Sequence, residues 1–330
     1  MKRTICAIIP LFNGRDYIGK SLPSVLNQTR PADEVIIVDD GSNDDGVQLA
    51  ASIASGHGNV RFLSKSNGGQ SSARNLGVKN TQADLVAFLD QDDWWYPEHL
   101  EELEKAAMKL DPADFGWVYS DVDEYDVKGG LVTRNMLGRM QTEHPKRTLH
   151  NALWADMYVV PSAALVSRTA IDAIGGFDER LRGYEDDDLF IRLFHAGFTN
   201  DYVDRPLSGW RIHHGSTSYS PVMARSAVLY AQKLLETFPD DVPRSRYYAR
   251  DLIAPRFFRH AVENYKNAAR SRDGDSISSA IQGIDRLIPY MRRKRRSRYR
   301  LIRPFLMSLP HAALTSWRTK TYLIRTFLGH

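Results

Sequence analysis

Five short β-rich runs fall within the first 120 residues, "TICAII", "EVIIV", "VRFL", "DLVAFL" and "FGWVY", and stretches with helical spacing separate them. This alternation limits the folds open to the chain more than any other feature. Between the first two runs, Ile18, Leu22, Val25 and Leu26 fall at i, i+4, i+7 and i+8, one face of a helix that Pro23 interrupts. The expected fold is therefore α/β: a Rossmann-like, mostly parallel sheet flanked by helices on both faces. In such sheets, ligands bind beyond the carboxyl ends of the strands. The first four runs each open into polar residues there: "PLFNG", "DDGSNDDG", "NGGQSSARN" and "DQDDWW". Gly41, Gly68 and Gly69 suit tight turns or close backbone approach, and the amides of "GGQSS", entering a helix, are placed to receive an anion. No G-x-G-x-x-G follows the first run and no G-x-x-x-x-G-K-[ST] occurs, which argues against a dinucleotide dehydrogenase and a P-loop NTPase.

The fourth exit carries the densest chemistry. In "AFLDQDDWWYPEHL", residues 87–100, Asp90, Asp92 and Asp93 follow an apolar run directly. Carboxylates that close repel one another and resist desolvation, so the cluster calls for a compensating charge. Oxygen donors favour a hard cation such as Mg²⁺ or Mn²⁺, which completes its shell with water and phosphates. The plainer reading is a helix cap, with Asp92 or Asp93 preceding "PEHLEELEKAAMKL"; a D-x-D alone favours it. A second D-x-D, Asp121 and Asp123 in "YSDVDEY", has no supporting motif and reads as a polar strand or loop face. Trp94 and Trp95 suit either packing under a loop or contact with an acceptor, one for each role.

Further on, "MYVVPSAALVSRTAIDAIGGFDERLRGYEDDDLFIRLFHAGF" reads as a strand, a short helix, a glycine turn, an acidic loop, and a helix from about Asp187. Glu185, Asp186, Asp187 and Asp188 crowd its first turn, where the helix dipole favours two or three acids, but not four. Beyond about residue 220 the composition shifts toward Arg, Tyr, Ala and Leu in helical patterns. The net charge is +4, yet twelve Lys or Arg and no acid lie from Arg286 onward, which leaves −8 on residues 1–285. Residues 291–300 alone hold seven bases, and an apolar, proline-broken stretch follows. Such a tail suits an anionic membrane surface, at about 1 kcal/mol per basic residue. It equally suits packing on the acidic body. Cys6, the single cysteine, excludes an internal disulfide and fits a reducing compartment. The first apolar run is short for a signal peptide and no run approaches the ~18 residues of a spanning helix, so a cytoplasmic protein is expected.

In order, "PLFN", "VIIVDDGSNDDG", "GGQSSARNLG", "AFLDQDDWW", "GGFDERL", "YEDDDLFIRL" and "WRIHHGSTS" resemble the family 2 inverting glycosyltransferases with the A-type glycosyltransferase fold, over roughly residues 1–220. The resemblance implies a glycosyltransferase A-type domain over 1–220, with a nucleotide-binding half (1–100) and an acceptor half (101–220), followed by a helical C-terminal extension, 221–330. It implies Asp92 as a metal ligand and Asp90 as a nucleoside or metal-side contact. Asp39 and Asp40 match acids that hold base and ribose, Pro10 and Phe12 line the base pocket, and Arg74 lies near the nucleotide. Asp186 matches the general base, His213 a histidine near diphosphate or metal, and Glu185 joins Trp94 and Trp95 as an acceptor candidate. His213 and His214 also read as ordinary polar residues near a strand end. Phe12 stands where the family often has tyrosine, and Asp187 adds an acid beside the expected base. No arginine is followed by tryptophan, so the Q-x-x-R-W motif of processive synthases is missing and single-sugar transfer is expected.

The implied reaction is metal-assisted inverting transfer from a nucleoside diphosphate sugar, uridine-based, to a glycan or lipid-linked acceptor hydroxyl, as in cell-envelope polysaccharide synthesis. The cofactor would be Mg²⁺ or Mn²⁺, and residues 291–330 would hold the protein peripherally on the inner face of the membrane. Two other classes compete: an inactive nucleotide-sugar-binding protein, and a nucleic-acid-binding module built on the basic tail. The second finds no support in fold or aromatic signature, and no nucleic acid partner is expected.

Overall fold

A computed structural model describes residues 3–213, 221–271 and 273–308. His214, and the basic tail beyond residue 308, lie outside the described residues. The chain divides into two compact units, Met1–Ala152 with Asp156–Ser220, and Leu153–Ala155 with Pro221–His330. The elements run β1 (Ile5–Leu11), α1 (Arg15–Leu26), β2 (Glu34–Asp39), α2 (Gly46–Ile53), β3 (Val60–Ser64), α3 (Gln70–Lys79), β4 (Leu85–Phe88), β5 (Trp94–Trp95), α4 (His99–Ala107), β6 (Phe115–Tyr125) and β7 (Leu131–Thr133). They continue through α5 (Leu149–Trp154), β8 (Ala164–Ser167), α6 (Arg168–Ala173), α7 (Glu185–His195), β9 (Thr199–Arg211), α8 (Pro221–Thr237), α9 (Ala254–Ser271), α10 (Gly274–Leu287) and α11 (Arg293–Ser308).

The first unit is one twisted sheet in the order β3-β2-β1-β4-β8-β6-β9-β5, with β7 beside β6. β1 to β4 are mutually parallel. β1 is buried at every position and β2 at its four central ones, as strands covered on both faces must be. Ile5, Ala7, Ile9 and Leu11 face a core shared with Ile18 and Leu22 of α1 and Leu100 and Leu103 of α4. On the other face α3 packs so close that a Cβ added to Gly77 would stand 2.6 Å from Ile8 Cγ2. The parallel register, with Leu11 beside Asp39 and Asp39 beside Ser64, sets the exits of the first three strands side by side.

The second half of the sheet departs from simple alternation. β6 does not join β4; the short β8 lies between them, antiparallel to both. The strand expected ahead of the short helix in "MYVVPSAALVSRTAIDAIGG" is Ala164–Ser167, behind a 3₁₀ turn at Pro161–Ala163. Trp94–Trp95, expected in a loop, pair with Ser208 and Gly209 of β9. The helix expected from about Asp187 starts at Glu185, behind Tyr184 in a left-handed conformation, φ 60°. The strand pairings join residues 45 to 115 positions apart, which local periodicity cannot encode.

The second unit is helical around buried Tyr230, Phe258, Tyr265 and Ile281. The described part of the basic tail, α11, is held within that unit. Tyr299 donates to Asp285 at 2.9 Å and Arg303 forks onto the same carboxylate at 2.6 and 2.8 Å. Among the described residues, no helix is long and apolar enough to cross a membrane.

Candidate functional site

At the exit of β4, Asp90 and Asp92 are half-buried and Asp93 is buried. Asp93 turns inward, accepting the Arg211 amide at 3.0 Å and a Ser162 hydroxyl bond, so it ties β9 to this exit. Burial, then Asp92 and Asp90, push its pKa well up. Asp92 is also pushed up, by burial and by Asp90, with the His213 bond opposing. His213 Nε2 lies 2.9 Å from Asp92 Oδ2, and its ring stacks on Tyr17 at 5.4 Å. Gln91, between the acids, bonds the backbone of Phe12 through both ends of its amide.

The β1 and β2 exits lie alongside. Pro10 is buried within β1, whereas Phe12 is 41% exposed. Asp39 accepts the Ser42 amide at 2.8 Å and the Ser64 hydroxyl at 3.1 Å. Asp40 is 3% exposed and accepts Lys65 Nζ at 2.9 Å, the Gly68 amide at 2.9 Å and the Gly69 amide at 2.7 Å. This narrows the expectation that the amides of "GGQSS" receive an outside anion: the chain's own carboxylate takes those of Gly68 and Gly69. Gly69, at φ +87°, gives the turn a conformation that side chains rarely adopt.

α3 links this rim to the acids of α7. Arg74 is 1% exposed; its guanidinium pairs with Asp90 on one side and with Glu185 at 3.1 Å on the other. Gln70 also donates to Glu185 at 2.9 Å. Asn75 accepts the Phe177 amide at 2.8 Å and donates to the Phe177 carbonyl at 2.9 Å, and Ser71 donates to the Leu181 carbonyl at 3.1 Å. One helix thus pins "GGFDERL" and the start of α7. The four acids separate by partner. Glu185 faces Arg74, Asp187 accepts the Met157 amide, and Asp188 holds Arg192 at 2.8 Å. Asp186 is half-buried and accepts only the Asp187 amide, at 2.8 Å, among the described residues. Burial first, then Glu185 and Asp187, push its pKa well above the carboxylate range, with Arg74 opposing.

Trp94 and Trp95, one expected to pack and one to meet an acceptor, are both buried. Trp95 donates to the Ser162 carbonyl at 2.7 Å and stacks on His99 at 4.4 Å. Trp94 lies under Lys20, whose Nζ is 3.0 Å from its ring centre, and against Gly209, where an added Cβ would stand 2.3 Å from the indole. Glu185, 6% exposed and already paired, is no freer. Sequence reasoning missed Gln91, Gln70 and Asn75. Neutral amides carry no chemical signature; only their sites inside "DQD" and "GGQSSARN" marked them.

Among the described residues, no group of three or more His, Cys, Asp or Glu could hold a metal ion by itself. Asp92 and His213, with Asp90 beside them, fit a cation as a partial shell. Burial first, then Asp90, holds Asp92 above its ordinary proton affinity, a penalty that a bound divalent ion would offset, and Mg²⁺ habitually draws its remaining ligands from water and phosphates.

Parallel strand exits meeting on one acidic rim, closed by a helix and a second acidic cluster, define an α/β protein with its candidate ligand site beyond the carboxyl ends of the strands. Its sequence matches the profile of glycosyl transferase family 2 over residues 6–175, more than half the chain, and the protein belongs to that family. A Rickettsia prowazekii protein described as an uncharacterized glycosyltransferase is 30% identical over 217 residues, covering 65% of this chain and 65% of that protein. Pasteurella multocida chondroitin synthase is 29% identical over 189 residues, 57% of this chain and 18% of that enzyme. The match thus spans less than two thirds of either relative. Among solved structures, S. aureus TarS 1–349 in complex with UDP-GlcNAc superposes with a TM-score of 0.68 at 20% identity, covering 98% of this chain and 92% of that one. That likeness shows the A-type glycosyltransferase fold.

Proposed function

We propose that this chain is an inverting glycosyltransferase that moves a sugar from a nucleoside diphosphate donor, uridine-based, to a hydroxyl of a glycan or lipid-linked acceptor, with Asp186 as general base. The reading is carried by Arg74: one buried guanidinium pairs with Asp90 at the β4 exit and with Glu185, the neighbour of Asp186. Donor and base sites that share a residue can flank one reacting carbon. Pro10, Phe12 and Asp39 would frame the nucleoside, while Asp40 shapes the loop around it. Asp92, His213 and Asp90 would hold a divalent cation, which when bound supplies positive charge to the departing diphosphate. Asp186, which among the described residues accepts only the Asp187 amide, takes the acceptor proton; its raised proton affinity suits that task. Attack from the face opposite the leaving group inverts the anomeric carbon.

The uridine preference draws on TarS, solved with UDP-GlcNAc, and the glycan acceptor on the name of the Pasteurella relative. Residues 1–100 would bind donor, 101–220 acceptor, and the helical extension would serve attachment. Arg292, Arg293, Lys294, Arg298 and Arg300 are exposed, and Arg259, Arg292 and Arg298 push the Arg295 guanidinium's pKa down after burial does. Such crowding suits a chain held on the anionic inner face of a membrane from the cytoplasm.

Incubation with UDP-, GDP- and dTDP-sugars, with and without EDTA, tests the reading. Release of UDP from a UDP-sugar, abolished by chelator, is expected; turnover indifferent to chelator counts against the cation. Asp186→Asn should keep UDP binding while kcat falls by about 10²- to 10⁴-fold. Unchanged turnover would remove Asp186 from the reaction.

A further inference from the structure

We propose that Gln91 is a positioning residue, coupling the nucleobase end of the donor site to its diphosphate end. The inference rests on the transfer reading above. The Phe12 amide donates to Gln91 Oε1 at 2.8 Å, and Gln91 Nε2 donates to the Phe12 carbonyl at 3.0 Å. A single side-chain amide thus pairs with one backbone residue 79 positions away, as a neighbouring strand would. Room for it depends on Gly14, where an added Cβ would stand 2.3 Å from Gln91 Oε1 and 2.7 Å from Gln91 Cδ.

The other side of this loop is tied to the β2 exit. Asn13, at φ 48°, accepts the Asn43 amide at 2.8 Å and donates its own amide to Ser42 Oγ at 3.1 Å, and the Arg15 amide donates to Asp44 at 2.9 Å. Phe12 itself is 41% exposed, so burial does not hold its ring; backbone bonds on both sides do. Gln91 stands between Asp90 and Asp92, so any shift of that pair is transmitted to the residue that would meet the base. Coupling of this kind is reciprocal: a ligand at one end changes affinity at the other.

Gln91→Met keeps the length and loses both bonds. Gln91→Glu keeps the acceptor for the Phe12 amide but sets a carboxylate against the Phe12 carbonyl. KM for the UDP-sugar should rise about tenfold in Gln91→Met and less in Gln91→Glu, with kcat within about twofold of wild type. Calorimetry with uridine, which has no phosphate to reach a cation, adds a readout independent of turnover. Wild type should bind uridine more tightly in Mn²⁺ than in EDTA, and Gln91→Met should show no difference. An unchanged KM in Gln91→Met, whether or not its melting temperature moves, would reduce Gln91 to a structural contact and overturn the proposal. A kcat that falls with KM constant would do the same. If wild type binds neither UDP nor uridine, the donor reading fails and the coupling with it; if it binds both and Gln91→Met matches it, only the coupling fails.

Discussion

Asp121 and Asp123 repeat the spelling of Asp90 and Asp92, yet donors surround both acids of that buried pair, whereas at the β4 exit Arg74 meets Asp90 and Asp92 is left pressed by its neighbour. Asp121 lies fully buried in β6. It accepts the amides of Val122, Leu137 and Gly138 at 2.7 to 2.9 Å and the Tyr202 hydroxyl at 3.0 Å. Asp123 accepts the Asn135 amide at 3.0 Å and the Tyr96 hydroxyl at 2.8 Å. The protein meets their charge itself, and the motif fastens the segment after β7 to the sheet. Asp92, by contrast, has His213 on one oxygen and a second acid pressing on it. A carboxylate supplied with internal donors stabilises the fold; one short of them is free to bind something else.

The largest expected effects separate the two pairs by opposite readouts. Asp92→Asn should lower turnover on the order of 100-fold while its melting temperature stays near wild type. Asp121→Ala should strand buried donors and cost about 3 to 5 kcal/mol of stability in chemical denaturation. Equal loss of stability in both variants would erase the distinction.

A smaller test sharpens it with pH, through Asp186 at the rim and His99 in the interior. Asp186 must be ionised to accept a proton and its pKa is raised, so kcat/KM should climb with pH along a limb lying above the ordinary carboxylate value near ~4. His99 is buried on Trp95, its Nδ1 3.1 Å from the Leu207 carbonyl, and burial pushes its pKa down to about 3. Its folded value lies below its unfolded one. Acid therefore protonates the unfolded chain first, and stability is lost as pH falls from about 6.5 toward 3. Thermal melts from neutral to acidic pH should show a shallower loss for His99→Gln than for wild type. Parallel curves would mean that His99 takes no part in acid unfolding.

Much of the first sheet half was legible, because β1, β2 and β4 are apolar along their length and each ends in a polar exit. The rest depends on distant pairings. β5 is two residues long and exists only through Ser208 and Gly209. β8 enters the sheet between strands that sequence order would have made neighbours. The candidate site shows the same division. The run 185–188 stood out as acids in excess of what a helix start needs, while the resemblance singled out Asp90, Asp92 and Asp186. The use of Asp40 as an internal loop clamp, and of Arg74 as a bridge between Asp90 and Glu185, appears only once the chain is folded. Nothing local distinguishes a carboxylate awaiting a ligand from one that two glycine amides will satisfy.

Arg74 also bears on how the protein is assembled. Its partners lie 16 and 111 positions away, so its charge is balanced on both sides only after α7 has docked. Without α7 that guanidinium would keep Asp90 as its one carboxylate partner, and burying it would leave part of its charge uncompensated. Docking of α7 thus completes, in one step, both the charge balance of this buried bridge and the acidic cluster that carries Asp186.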